Sequence, residues 1–128
     1  MTTVTDRDAL LLAHMRDCID RIDDYTGRER TKFMNSRLVQ DAVVRNLQTL
    51  TESSQRLSSA AKDREPAVPW RELAGFRNVI VHAYLGLDLD VVWSVVEGDL
   101  PALRAALDRL AAASPSPARA AGRPDPTA

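Results

Sequence analysis

The chain has a single cysteine, Cys18, among its 128 residues. That excludes an intramolecular disulfide and fits a reducing compartment, the expectation being a cytoplasmic protein. Cys18 reads as a small buried apolar residue on the first helix. Glycine is scarce, five in all, and none are grouped into a phosphate-cradling loop. No Cys/His spacing of the zinc type occurs, so neither a metal nor a cofactor is expected. No internal repeat is present. No apolar stretch approaches transmembrane length. The apolar run at 9–13 is too short for a signal peptide and follows Asp6 and Asp8 instead of a basic region. Neither sign of charge dominates, with 17 basic against 18 acidic side chains and a net charge of −1. No global basic field therefore draws the chain to nucleic acid. Any contact with nucleic acid would have to come from a local group such as Arg37, Arg45, Arg71 and Arg77.

What is present is ordinary for a globular domain: 45% hydrophobic and 27% charged residues, with room for one domain and a modest core. The apolar period points to helices throughout. The first spans 5–25, with Thr5 as N-cap, Asp8 three residues on, and Gly27 at its end. Its stripe is Ala9, Leu12, Met15, Ile19 and Ile22. The second spans 30–60 on Phe33, Val39, Val43, Leu47 and Leu50. Asp41 and Arg45 are spaced to pair, and its length invites a bend near 51–54. The third starts at Pro69 and Trp70, runs to 84 and is closed by Gly86. Asp88 or Asp90 caps a short helix through Val91, Val92 and Val95. Gly98 interrupts it, Asp99 caps the next helix, and Leu103, Ala106, Leu107 and Leu110 form the last stripe. These make an all-α antiparallel bundle of four main helices with a short kinked fourth element, over 1–113. From 114 to 128 the chain has four prolines and no large apolar residue, the composition of a disordered tail.

The third helix carries the candidate chemistry in Arg77-Asn78-Val79-Ile80-Val81-His82-Ala83-Tyr84. At about 100° per residue, Arg77 and Tyr84 fall nearly on one line, while Asn78 and His82 share the adjacent stripe. Arg77 and His82 differ by about 140° on an ideal helix, so the helix alone does not bring them together. An imidazole exchanges protons near neutral pH, and a guanidinium holds a phosphate bidentately and stabilises charge building on it. Together they suffice for attack of a ribose 2′-hydroxyl on the adjacent phosphate without a metal. One candidate histidine per chain, His82, is few for a reaction that wants a base and an acid; a two-fold dimer would supply both. Such a pair is also common as plain surface or interhelical polar groups. The apolar Val79, Ile80 and Val81 around it imply that the polar residues face a partner or line a cleft. His14 reads as an ordinary helix residue, Trp70 and Trp93 as packing anchors, and Asp23-Asp24 as a solvated turn.

The motif and its flanks resemble the HepT-type toxins of the HEPN ribonuclease superfamily. The likeness runs through Asp41-Ala42-Val43-Val44-Arg45-Asn46-Leu47, Pro69-Trp70-Arg71-Glu72-Leu73-Ala74-Gly75-Phe76-Arg77-Asn78, His82-Ala83-Tyr84 and Leu87-Asp88-Leu89-Asp90-Val91-Val92-Trp93. It implies a HEPN-like fold and a homodimer with the motif lining a cleft between protomers. It implies a metal-independent endoribonuclease toxin with Arg77 and His82 catalytic, Asn78 supporting and RNA as substrate. It also implies a cognate minimal nucleotidyltransferase antitoxin, MntA-like, that neutralises the toxin by transferring AMP to Tyr84. The chain departs from the family at Thr51-Glu52-Ser53, where Gly-Glu-Ala is common. Two other readings remain: a non-catalytic helical partner of a nucleotidyltransferase, which the slightly acidic balance favours, and a structural dimerisation bundle.

Overall fold

The computed structural model describes residues 4–86 and 88–114, and only the backbone of Arg77 and of 81–84. Among the described residues every regular element is helical: α1 (Asp6–Thr26), α2 (Arg30–Met34), α3 (Arg37–Arg56), α4 (Ser59–Asp63), α5 (Trp70–Leu85), α6 (Leu89–Ser94), a π turn (Val95–Asp99) and α7 (Leu100–Ala112). Helices α6 and α7 join through the π turn, so the bundle has four long elements, as expected. The tail beyond Ser114 lies outside the described residues.

Helix α1 starts on a capping box. Asp8 N–H donates to Thr5 Oγ1 and Thr5 N–H to Asp8 Oδ2, both at 3.0 Å. Two donors that the first helical turn leaves free are thereby satisfied. The helix ends at Gly27, whose φ of 60° is left-handed and whose N–H bonds back to Asp23; glycine adopts that conformation without steric cost. The stripe read from the sequence is buried, with Leu12, Met15 and Ile22 wholly enclosed and Cys18 beside them.

The single helix expected over 30–60 is three. Ser36 accepts from Val39 N–H and caps α3, while the buried Gln40 amide donates to the carbonyls of Phe33 and Met34. Those bonds satisfy the end of α2 and turn the chain there. The bend expected at 51–54 is absent. Thr51 and Ser54 hydroxyls donate to carbonyls one turn back, Gln48 and Thr51, so these buried hydroxyls are satisfied within α3. The second break falls at Leu57 and Ser58. Ser58 is tied to Asp8, its N–H to Oδ1 at 2.9 Å and its Oγ to Oδ2 at 2.6 Å. Asp41 and Arg45 are exposed and form no ion pair among the described residues.

The linker into α5 is clamped. The Trp70 indole N–H donates to the carbonyls of Lys62 and Glu65. Glu65 in turn accepts two bonds from the Arg109 guanidinium, at 3.0 and 2.7 Å, which hold its carboxyl below the ordinary range. Trp93 is buried and stacks on Phe33 with ring centroids 5.5 Å apart. Both tryptophans are thus packing anchors.

Asp88 caps α6 through Val91 N–H, whereas Asp90 pairs with Arg30. Asp99 does not cap α7; it lies inside a continuous helix with no side-chain cap bond. The π turn is the reason. Leu100 N–H reaches back five residues to Val95, and the widened turn admits Pro101, which has no N–H and would crowd the carbonyl four residues before it.

Burial pushes the Asp8 carboxyl up, but the bonds from Ser58 and Thr5 outweigh it and hold the group below its ordinary value. A depressed folded value means stabilisation that is present above the unfolded pKa of about 3.9 and fades as pH falls through the folded one. Asp8→Asn is expected to cost roughly 1–3 kcal/mol at neutral pH. In urea titrations the gap to wild type should shrink below about pH 4.

Candidate active site on helix α5

Helix α3 lies between α1 and α5, and α7 packs on α1. The Gln55 amide donates to the Ala74 carbonyl at 3.2 Å, so the end of α3 meets the beginning of α5 and the two run antiparallel. That places position 77 of α5 opposite the level of residue 52 of α3.

The faces of α5 are set by its apolar residues. Ile80 is buried, and Leu73 and Phe76 pack against the same core. Inside this line is an apolar cavity of about 450 Å³, with Leu47, Leu50, Phe76, Ile80, Val95 and Leu103 among its walls. It exists because α5 leans on α3 while α7 leans on α1. Asn78, the one candidate whose side chain is described, is not on its wall.

The opposite side of α5 is open. Asn78 is exposed, Val79 is 49% exposed and Leu85 74%. Gly75 is exposed too, and a Cβ built there meets nothing within 4 Å. Glycine inside a helix costs about 1 kcal/mol relative to alanine, and no neighbour among the described residues requires it. By helical register, position 82 is about 160° around from Ile80 and one turn from Asn78, while position 77 is about 60° from Ile80. The side chains of Arg77, His82 and Tyr84 lie outside the described residues. The structure therefore carries all four candidates on one helix, with Asn78 on its open side.

The basic residues named from the sequence are not gathered. Arg37, Arg45 and Arg71 are each exposed and without an ion pair among the described residues. By the antiparallel register, however, Arg45 and Arg71 stand on the order of 20 Å apart along the α3–α5 axis, at 1.5 Å per residue, and Arg37 lies farther out. Asp23 and Asp24, read as a turn, lie in the last turns of α1 instead, and Asp23 pairs with Arg28 at 3.0 Å; among the described residues no group of three or more metal ligands occurs.

Residues 15–110 match the family described as Ribonuclease HepT-like. The chain belongs to the HepT-like ribonuclease family. The protein of Thermococcus cleftensis named "Probable ribonuclease HepT" is 34% identical over 100 residues, covering 77% of this chain and 91% of its own. One from Methanocaldococcus jannaschii, named "Putative RNase MJ1380", is 31% identical over 94 residues, covering 73% and 84%. Another from the same organism, named "Gamma-glutamylcyclotransferase and putative RNase MJ0434", is 32% identical over 97 residues; these are 74% of this chain but only 43% of that longer protein. No solved structure matches significantly. A HepT-like chain is accordingly of the ribonuclease class. No described helix is long and apolar enough to cross a membrane.

The two sides of α5 should respond differently to truncation. Ile80→Ala, in the buried line, is expected to lose about 2–5 kcal/mol. Asn78→Ala, on the open side, should stay within about 0.5 kcal/mol of wild type. Chemical denaturation of the two variants measures both.

Proposed function

We propose that this chain is a metal-independent endoribonuclease acting as a two-fold dimer, with Arg77 and His82 as its catalytic pair. The observation that carries the reading is the position of the Arg-x4-His-x-Tyr run on α5, the helix whose outer side is open, in a chain of the HepT-like ribonuclease family. In the reaction a base removes the proton from a ribose 2′-hydroxyl. The oxygen attacks the adjacent phosphorus, and the P–O5′ bond breaks as an acid protonates the leaving oxygen. A 2′,3′-cyclic phosphate and a 5′-hydroxyl result. The imidazole of His82 supplies one proton transfer and its counterpart in the second protomer the other. The Arg77 guanidinium neutralises charge on the phosphoryl oxygens, and Asn78, one turn from His82, supports the imidazole.

The dimer reading draws on the exposed Val79 and Leu85 and the unfilled space over Gly75. A second chain seated there would cover apolar surface and explain a glycine that no neighbour among the described residues requires. The same arrangement suits a toxin held in check by a minimal nucleotidyltransferase. AMP on Tyr84, two turns from Arg77, would add bulk and negative charge beside the pair and obstruct an incoming RNA phosphate.

Purified protein in EDTA is expected to cut single-stranded RNA and leave cyclic-phosphate ends. Arg77→Ala and His82→Ala should each lose about 10²-fold or more in rate with unchanged thermal stability. Unmodified wild type, shown by mass to carry no AMP, that cuts nothing in EDTA would refute this reading in favour of a non-catalytic helical partner of a nucleotidyltransferase.

A further inference from the structure

The ion pairs among the described residues concentrate away from the first half of α1 and the second half of α3. Arg16 and Arg104 join α1 to α7 through Asp108 and Asp20. Arg30 joins α2 to α6, and Arg109 ties α7 to the linker before α5. One place shows the reverse pattern. Between α1 and α3 is a groove of about 280 Å³ whose walls include Arg7, Leu10, Leu11, His14, Glu52 and Arg56. Arg7, His14 and Arg56 are exposed, and none has an ion pair or side-chain hydrogen bond among the described residues. Glu52 is the one carboxylate on that wall. Leu10, 60% exposed, gives the groove an apolar edge.

We infer that this groove is a nucleotide-binding site in which Arg7 and Arg56 hold phosphates of a single-stranded nucleic acid. For its ligand the inference rests on the ribonuclease reading. Two guanidiniums without partners are suited to phosphate oxygens. Leu10 and the His14 ring offer a base or sugar an apolar contact, the combination by which single strands are held without sequence preference. The groove resolves a difficulty, because Arg37, Arg45 and Arg71 are too dispersed to form one phosphate-binding group. It also lies at the right level. Its α3 wall, Glu52 to Arg56, stands opposite the first half of α5, where position 77 is. Packed helices are about 8–10 Å apart, a distance that an extended single strand spans in a few nucleotides. A strand crossing α3 from this groove therefore reaches α5 within a few nucleotides.

The test uses a fluorescent single-stranded DNA, which lacks the 2′-hydroxyl and is not cut by the proposed route. Anisotropy titrations at several salt concentrations compare wild type, Arg7→Ala/Arg56→Ala and a control of equal charge loss elsewhere, Arg21→Ala/Arg28→Ala. The groove variant is expected to bind five-fold or more weaker at about 0.1 M salt. Its salt slope should be lower by about 1.4, for two lost phosphate contacts. The control should stay within two-fold of wild type. Equal weakening in both double variants, wild-type behaviour of the groove variant, or no binding by wild type would overturn the inference. RNA cleavage by wild type, measured alongside, keeps the two readings apart. Cleavage with an unaltered groove variant removes only the groove; loss of binding in that variant without any wild-type cleavage removes only the ribonuclease.

Discussion

Helix α3 has to bury apolar side chains toward two neighbours at once, and the bundle is arranged around that requirement. Val43, Val44, Leu47 and Leu50 are all buried, with α1 packed on one side of the helix and α5 on the other. A stripe wide enough for two partners leaves α3 only one solvent-facing side, and Asp41, Arg45 and Glu52 occupy it. The order α1–α3–α5 follows, and with it the placement of the motif helix at an edge of the bundle. An edge helix suits the site proposed for a large polyanion. It offers one face to the core and keeps another accessible.

The ends of the elements are governed by polar groups that cannot remain unpaired when buried. Asp8 serves two helices, completing the cap of α1 and receiving Ser58 ahead of α4. Gln40 closes α2 against α3. The Trp70 indole and the Glu65–Arg109 fork fix where α5 begins. At the far side the π turn lets one helix continue through Pro101. These local solutions leave an apolar space between α5 and α7, since each of those helices is held by a different partner.

Charge is divided in the same way. Asp20 of α1 and Asp108 of α7 are matched by arginines across the α1–α7 contact, whereas Arg7 at the start of α1 and Arg37, Arg45 and Arg56 of α3 are exposed and have no ion pair among the described residues. A chain that is nearly neutral overall can therefore carry a local basic surface. Net charge is a poor guide to such a surface because it adds groups that the fold keeps on separate faces.

Much of the fold was legible in the residues. Thr5 with Asp8, Gly27, and the stripes of α1, α3 and α7 follow from capping chemistry and a period of 3.6, which depend on near neighbours in the chain. The break at Asn35 and Ser36 was not, because the apolar period continues through it and the deciding bonds come from Gln40, seven residues away from Phe33. Nor was the continuity of α6 into α7: Asp99 and Pro101 have the composition of a helix start, and only the π turn reconciles them with a helix interior. Of the site, the sequence showed that Arg77, Asn78, His82 and Tyr84 share one helix and resemble a HepT motif. It did not show that Arg37, Arg45 and Arg71 are dispersed, nor that Arg7, His14 and Arg56 meet in one groove. The sequence by itself determined the helical class, the apolar faces of α1, α3 and α7 and the family, since those rest on local spacing. The tertiary structure alone decided which face of α5 stays open and which cations lack a partner among the described residues, since both depend on helices far apart in the chain packing side by side.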